Sequence, residues 1–316
     1  MFLRIFAASF IAVAALQWTT IRPFLGLPDY RGCDARGYND DRYLAFCDNS
    51  YGAYDAGGIY LDLESVQKSI RAADVVILGN SRAVFGFSTE ATDRFFARQD
   101  ITYYMLAFQH DEQYRFPLAI LKASRARPKA VIINADPFFN ERVSRPARQA
   151  MGPDGTAFSR YRQLLQKLHR TLCYSNELPN AWRTDYCEGR GMTVFRSRRN
   201  GRWTTYGLPS KRYPVEPFVV GSAPADERQV AAATAFRNAI GISAECVILT
   251  EVPGQSSNLA PLEALSRRTG MPAATSYMAG LTSFDGNHLD PDSAEQWSGG
   301  FLNEIQPILD RCLGKR

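Results

Sequence analysis

A serine, a histidine and an aspartate in this chain have the types and spacing needed to activate a hydroxyl nucleophile. Ser81 follows an apolar, strand-like run that ends in Gly79. Far along the chain, His288 comes three residues after Asp285. A serine hydroxyl is hardly ionised at neutral pH, so it attacks a carbonyl usefully only when a neighbouring base takes its proton. The pattern predicts acyl transfer through Ser81, with His288 as the base and Asp285 orienting its ring.

Each half of this pattern also has a structural interpretation. Ser81 can cap the turn or helix that follows a strand, and the segment beginning at Asp285 is a favourable turn sequence. Two other histidines compete for the role of base. His110 follows a predicted strand and could face the same cleft, whereas His169 lies in a basic, helix-like stretch and is predicted at the surface. The combination of an early serine with Asp-x-x-His before the last helix favours the catalytic interpretation.

Alternating strand and helix patterns must position these residues. Strand patterns fall at Val75–Gly79, Ile101–Leu106, Ala130–Asn134 and Cys246–Glu251. Helical patterns fall at Leu61–Ala73, Thr89–Arg98, Glu112–Arg125, Asp226–Ile240 and Leu259–Thr269, with Ser88 as a candidate cap of the second. Short apolar strands separated by helices predict an α/β fold with a parallel sheet covered on both faces. Ligands bind at the carboxyl ends of such strands, where Ser81 is expected.

Two motifs resemble blocks of the SGNH/GDSL hydrolase superfamily. Leu78-Gly79-Asn80-Ser81-Arg82 is similar to its first block and Asp285-Gly286-Asn287-His288-Leu289 to its last. The resemblance covers about residues 72–125, 128–140 and 244–313. It implies a three-layer α/β/α sandwich with a flavodoxin-like parallel sheet and a Ser-His-Asp triad. The chain is similar in particular to the membrane-anchored branch that includes alginate O-acetyltransferases and the D-alanylation protein DltD. In that branch a long insertion separates the two halves of the domain.

The middle blocks, which the resemblance implies should supply the oxyanion hole, fit less well. The region of Ala107 to His110 has no glycine, and Asn134 and Asp136 fall where a glycine and an asparagine are expected. A carboxylate is a poor donor, and loss of one oxyanion donor costs about 2.7–4 kcal/mol. Three alternatives follow: Asn134 turns inward, backbone N–H groups from Ala107 to His110 donate, or the enzyme is slow without a partner. Arg82, directly after the serine, is a further substrate-contact candidate.

Residues 1–24 predict export. The stretch from Met1 to Ile21 has one charge, Arg4, and about 14 strongly apolar residues, and Arg22 follows it. Ala12-Val13-Ala14 could be a signal-peptidase site, but the stretch extends to about 20 residues, enough to span a bilayer, and Trp18 suits its interface. Both readings place the rest of the chain outside the cytoplasm, either anchored in the inner membrane with a periplasmic domain or secreted. A buried helix of a cytosolic domain is the alternative.

Cysteine use agrees with export. The six cysteines are an even number without Cys-x-x-Cys or zinc-like histidine spacing, so disulfides are the simplest interpretation and free buried thiols the alternative. Two pairs lie fourteen residues apart, which favours the connectivity Cys33–Cys47, Cys173–Cys187 and Cys246–Cys312. A loop of the shorter size contributes about 3 kcal/mol by the chain-entropy account.

Residues 141–215 form a basic segment that breaks the alternating pattern and is predicted to be an insertion. It holds 15 basic and 5 acidic residues, a local balance of +10 in a chain of net charge +5. Such asymmetry favours an anionic neighbour: an acidic polysaccharide, lipid head groups or the acidic face of a partner. Arg196, Arg198 and Arg199 are the candidate contacts, and Trp203 could stack on a sugar ring. A solvated basic surface, and an aromatic core within the insertion, are the alternatives.

The 316 residues, 45% of them hydrophobic, can bury a large core, so residues 25–316 are predicted to form one catalytic domain. The predicted function is an exported serine acyltransferase or esterase that moves an acyl group on an envelope or extracellular polysaccharide, and the resemblance implies that this group is acetyl. It needs no metal or cofactor, and nucleic acid is not an expected partner. By resemblance alone, a multi-pass membrane acyltransferase is expected to supply acyl groups. The alternative is a catalytically weak glycan-binding or assembly subunit of such a complex.

Overall fold

The structure is a computed structural model that describes residues 32–48, 55–109, 112–174, 187–219, 221, 223–255 and 257–315. Its strands are β1 (Arg42–Cys47), β2 (Val75–Gly79), β3 (Tyr103–Ala107), β4 (Ala130–Asn134), β5 (Thr193–Ser197), β6 (Trp203–Tyr206), β7 (Tyr213–Pro214), β8 (Val247–Thr250) and β9 (Thr282–Ser283). Its helices are α1 (Asp55–Tyr60), α2 (Gln67–Ala72), α3 (Ser81–Phe87), α4 (Glu90–Arg98), α5 (Arg115–Ser124), α6 (Arg145–Met151), α7 (Gly155–Tyr174), α8 (Glu227–Ile240), α9 (Ala260–Thr269) and α10 (Pro291–Cys312).

A four-stranded parallel sheet in the order β3-β2-β4-β8 forms the centre of the fold. Every residue of these strands is buried, as expected for apolar runs covered on both faces. Helix α10 packs against α3 and α4, while α5 packs against α2 and α8, and α8 against α9. The prediction of an α/β fold with a helix-flanked parallel sheet is confirmed. All carboxyl ends of these strands lie at one edge of the sheet.

The predicted elements differ from the observed ones mainly at their ends. The sequence predicted a helix from Leu61, but helix α2 begins only at Gln67. Asp62 and Ser65 have φ angles of 54° and 57°, in the left-handed region, which interrupt a right-handed helix. The cap of α4 is Thr89, whose side chain accepts a hydrogen bond from a backbone N–H of the first turn. Ser88, the predicted cap, instead ends α3.

A second, antiparallel sheet in the order β1-β5-β6 lies beside the first. Two of its strands come from the basic segment, but β1 comes from residues that precede the parallel sheet. The basic segment therefore shares its sheet with the N-terminal part of the described chain. A two-stranded pair, β7 with β9, connects the end of this segment to the loop before α10.

Three disulfides join Cys33 to Cys47, Cys173 to Cys187 and Cys246 to Cys312. The predicted connectivity is confirmed. The first disulfide ties β1 to the residues before it, and the third ties the start of β8 to the end of α10. Three disulfides are consistent with an oxidising, extracytoplasmic compartment.

No helix within the described residues is long and apolar enough to cross a membrane. The segment predicted to be an anchor or signal peptide, residues 1–24, lies outside the described residues.

Candidate active site

The backbone places Ser81 at the first position of α3, directly after β2. Asn80 caps the helix, and its side-chain oxygen accepts a hydrogen bond from the backbone N–H of Arg82 at 3.0 Å. Gly79 has φ of +143°, and a Cβ there would lie 2.8 Å from the Cβ of Asn134. Only glycine suits this strand-to-helix turn, since it offers both the backbone angle and the close approach. The turn presents Ser81 at the carboxyl edge of the sheet.

The structure brings together the three residues predicted to form a catalytic set. The Nε2 atom of His288 lies 2.8 Å from the Oγ of Ser81. Its Nδ1 atom lies 2.7 Å from Oδ2 of Asp285. Both distances are within hydrogen-bond reach, although 207 residues separate the serine from the histidine. The arrangement can carry a proton from the hydroxyl to the imidazole while the carboxylate holds the ring.

The loop before α10 fixes the carboxylate as well as the ring. Oδ1 of Asp285 accepts hydrogen bonds from the backbone N–H groups of Asn287 and His288, each at 2.9 Å. Partial burial raises the pKa of Asp285, but the hydrogen bonds from the His288 ring and these N–H groups outweigh it, so the pKa is lowered overall. The imidazole stacks on Phe284 and meets the edge of Phe85, at centroid distances of 5.5 and 5.0 Å. The Asp285 carboxylate and the His288 ring are therefore both held in place before any substrate binds.

The structure does not agree with the prediction that the Asn134 side chain donates to an oxyanion. Its side chain is fully buried, and its Nδ2 donates to Oδ1 of Asn80 and to the backbone oxygen of Asp136. Its Oδ1 accepts from the backbone N–H of Val252. These hydrogen bonds join the ends of β2, β4 and β8, and they engage both the nitrogen and the oxygen of the Asn134 side-chain amide. Asn134 therefore stabilises the strand ends and does not turn toward an oxyanion.

The other predicted oxyanion donors have mixed positions. Ala107 ends β3 opposite Gly79, and the backbone N–H of the next residue, Phe108, donates to the Gly79 oxygen. That N–H is consequently occupied. His110 lies outside the described residues. The backbone N–H of Ser81 belongs to the first turn of α3, where N–H groups have no acceptor within the helix. It is the donor that the helix geometry favours.

Arg82 links the loop that carries Asp285 and His288 to acidic groups at the ends of β4 and β8. Its Nη1 lies 3.1 Å from the carboxylate of Asp136 and 3.7 Å from that of Glu251. Its Nη2 lies 3.4 Å from Oδ1 of Asn287, the residue before His288. Burial of Glu251, with a contribution from the charge of Asp136, raises the pKa of Glu251 to about 7. Asp136 is thus a partner of Arg82.

The predicted glycan contacts in the basic segment require correction. Arg196 is fully buried, forms an ion pair with Asp55 at 2.7 Å, and donates to the backbone oxygens of Met105 and Ala107. Trp203 is also buried, with the Arg196 guanidinium over its ring. Arg196 is therefore not available to a glycan, and Trp203, which is 5% exposed, packs against it between the two sheets.

Arg198 and Arg199 are the more accessible members of the same group. Arg198 forms an ion pair with the buried carboxylate of Glu64 and lies over the ring of Tyr43. Arg199 is exposed. Arg198 therefore helps to hold the β1-β5-β6 sheet onto the rest of the fold.

The prediction for His169 also requires correction. It was predicted at the surface but is fully buried in α7, with Nδ1 3.1 Å from the hydroxyl of Tyr38. Glu251 and Asn80 were missed as site residues. The signal for both was available, because each directly follows or ends a predicted strand at the carboxyl edge of the sheet.

Within the described residues, no group of three or more His, Cys, Asp or Glu side chains could hold a metal ion. Comparison of the chain with protein-family models, with curated proteins and with solved structures finds no match. The class of this protein is thus known from its own structure alone: it is an α/β protein with a hydrogen-bonded serine, histidine and aspartate at the carboxyl edge of its parallel sheet.

Proposed function

We propose that this protein is a serine-dependent acyltransferase or esterase that acts through an acyl ester on Ser81. The observation that carries the proposal is the continuous hydrogen-bonded chain from Ser81 Oγ through His288 to Asp285, at 2.8 and 2.7 Å. A neutral imidazole between a hydroxyl and an ionised carboxylate is the arrangement that makes serine nucleophilic.

The geometry supports a two-stage reaction. Ser81 Oγ attacks the acyl carbonyl carbon while Nε2 of His288 takes the hydroxyl proton, and the carbonyl electron pair moves onto oxygen. The oxyanion collapses, the bond to the donor oxygen breaks, and His288 protonates that leaving group. A sugar hydroxyl or water then attacks the Ser81 ester with His288 again as base, and the proton returns to Ser81 as the second oxyanion collapses.

Two further observations are compatible with an exported SGNH-type enzyme that works on envelope glycans. The strand order β3-β2-β4-β8 is second, first, third and fourth among the parallel strands, as in flavodoxin-like sheets. The three disulfides suit an extracytoplasmic site of action. A membrane anchor in residues 1–24 and a membrane acyltransferase partner belong to the same proposal and rest on the sequence resemblance.

The test is mass spectrometry of the intact protein after exposure to an activated acetyl ester. The expected result is a single acetyl adduct that maps to Ser81 and disappears on addition of hydroxylamine. Ser81→Ala should show no adduct at this position, while the exposed Ser210→Ala should behave as wild type. An adduct that is equally abundant in Ser81→Ala, or none in the wild type, would contradict the proposal.

A second candidate function is a glycan-binding or assembly subunit with weak catalysis. One observation favours it: Asn134 and the Phe108 N–H, two groups near the expected oxyanion, already have partners within the protein. With the Ser81 N–H as the main donor, acylation would be slow. The two candidates separate by turnover, since a binding subunit shows the same trace hydrolysis in wild type and His288→Ala.

A further inference from the structure

A cavity of about 260 Å³ opens where β4 and β8 end, on the Asp136 and Glu251 side of the Arg82 guanidinium. We call it the Arg82 pocket. The following residues line it: Arg82, Ala135, Asp136, Pro137, Gln229, Glu251, Asn258, Pro261, Leu262 and Leu265. The same guanidinium also contacts Asn287, the residue before His288, so Arg82 connects the pocket to the loop that carries Asp285 and His288.

The walls of the Arg82 pocket combine hydrogen-bonding groups with an aliphatic surface. Asp136, Glu251 and Gln229 supply acceptor oxygens, and the side-chain amide of Asn258 has an N–H₂ group to donate. Leu262 and Leu265 add an apolar wall. The volume lies below the about 300–1,000 Å³ of sites for drug-sized ligands, so it suits one ring. A small, ring-shaped ligand with several hydroxyl groups matches these walls.

The charges in the Arg82 pocket disfavour an anionic ligand. Arg82 is the only cation among the lining residues, and its Nη1 is already engaged by Asp136 at 3.1 Å. Glu251 is 4% exposed and adds a second carboxyl group. An acidic sugar would meet two carboxyl groups and no uncommitted positive charge, which costs free energy.

We propose that the Arg82 pocket is a subsite for an uncharged, hydroxyl-rich sugar residue of the acyl acceptor. The inference rests on the proposed function, because it takes the pocket as the place where an acceptor is held beside Ser81. It reverses the expectation of an acidic glycan that the basic segment had raised. Of the three arginines on which that expectation rested, Arg196 is paired with Asp55 and Arg198 with Glu64.

Glu251 gives the pocket a dependence on pH. The groups that face it are Asp136 from the end of β4, Arg82 from α3, and Ser257 and Asn258 from the loop before α9. An uncharged sugar that displaces water from the pocket desolvates this carboxyl further and so favours its protonated form. Affinity is therefore expected to be higher at pH 6 than at pH 8. A cationic ligand would show the opposite slope.

The test uses calorimetry on the full chain carrying Ser81→Ala, which binds without turnover. The probes are tetrasaccharides of glucose, mannose and N-acetylglucosamine, and tetragalacturonate as the acidic counterpart. At least one neutral probe should bind, more tightly than tetragalacturonate and more tightly at pH 6 than at pH 8. In Glu251→Gln, which resembles the protonated carboxyl, this pH dependence should disappear.

Pocket variants locate the binding. Leu265→Trp fills the cavity, and Gln229→Arg brings a cation to its mouth with less risk to the core; each should weaken the neutral probe about tenfold or more. The matched control is Ala235→Arg, which adds the same charge at an exposed position of the same helix, α8, and should bind as the parent does. Circular dichroism checks that each variant is folded.

The outcomes separate this inference from the proposed function. Absence of binding by all three neutral probes, preference for tetragalacturonate, or equal affinity in Gln229→Arg and the parent would overturn the subsite. None of these results bears on the Ser81 acetyl adduct, which is measured without any acceptor. Conversely, neutral-sugar binding in a chain that forms no adduct would retain the pocket as a glycan site and reject the acyl-enzyme.

Discussion

Two regions of this molecule carry residue types that suggest function, and the structure treats them differently. At the carboxyl edge of the parallel sheet, Ser81 and His288 are 207 residues apart in sequence, and their Oγ and Nε2 atoms lie 2.8 Å apart. In the basic segment, Arg196 and Trp203 turn inward and fill the space between two sheets. Position relative to strand ends was therefore a better guide than local charge to which predicted site residues lie together. The first region uses its polar groups on a surface, and the second uses them to hold the fold together.

The two regions differ because one lies at the ends of parallel strands and the other within an antiparallel sheet. The strands of a parallel sheet end at one edge, so the side chains of the residues that follow them converge there. An antiparallel strand such as β5 runs between neighbours along its whole length, and its side chains alternate between the two faces of the sheet. Arg196 lies on the face that meets β3, where burial requires a partner, and Asp55 supplies it.

The largest expected effect tests the first region. Ser81→Ala and His288→Ala should each lower kcat for a small acetyl ester on the order of 1,000-fold or more, because both remove the activated nucleophile. The double variant should be no slower than either single variant, since the residues act as a unit. Steady-state kinetics with protein freed of contaminating esterases measures this. Additive losses would show that the two side chains act separately.

Asp285→Asn should have the next largest effect. It keeps the shape of the loop but removes the charge that stabilises the imidazolium, and the expected loss in kcat is about 100- to 10,000-fold. The hydrogen bonds that lower the pKa of Asp285 also link it to stability. A depressed pKa stabilises the fold above the ordinary carboxyl pKa, and this contribution is lost as the pH falls through the lowered value. Urea unfolding of wild type and variant should accordingly differ at pH 6 and converge in strong acid.

Arg196→Met tests the second region. Removal of the guanidinium leaves the Asp55 carboxyl buried without its partner, so the free energy of unfolding should fall by about 3–5 kcal/mol. The double variant Asp55→Asn with Arg196→Met should recover much of that loss. Chemical denaturation measures both. If the single variant is as stable as wild type, the interior role assigned to Arg196 is wrong.

Glu251→Gln should stabilise the protein at alkaline pH. Because burial raises the pKa of Glu251 to about 7, the folded state binds a proton that the unfolded state has released above its ordinary pKa. Stability is therefore lost as the pH rises between about 4.5 and 7, by up to about 3 kcal/mol. The variant should lack this part of the pH dependence. Unfolding at pH 5.5 and pH 8 compares them, with Glu263→Gln at a half-exposed carboxyl as control.

The sequence was sufficient to predict the elements that apolar periodicity controls. Val75–Gly79 and Ala130–Asn134 are strands over the whole predicted range, because both are continuous apolar runs buried on two faces. The disulfide pairs followed from spacing together with the oxidising compartment. The serine and histidine were recognisable because each is attached to a local motif, a strand-to-helix turn and an Asp-x-x-His loop.

The remaining features depended on contacts between distant segments. Nothing local distinguishes Arg196 from the exposed Arg199; only the register of β5 against β1 and β6 decides which side chain is buried. His169 likewise reads as a surface residue until Tyr38 is brought to it. The role of Asn134 depends on Asn80 and Val252, which lie in other segments. Polar residues inside a fold are recognised by their partners, and partners are tertiary information.

Arg199→Gln should have the least effect of these substitutions, and it tests whether the basic segment has any exposed binding surface. Arg199 is exposed, so the free energy of unfolding should change by no more than about 0.5 kcal/mol. Its charge adds only a weak, salt-screened attraction for anions. Affinity for tetragalacturonate at physiological salt should therefore be the same in wild type and variant. A clear loss would mean that the basic segment does present a binding surface, and that local charge deserves more weight than its buried members suggest.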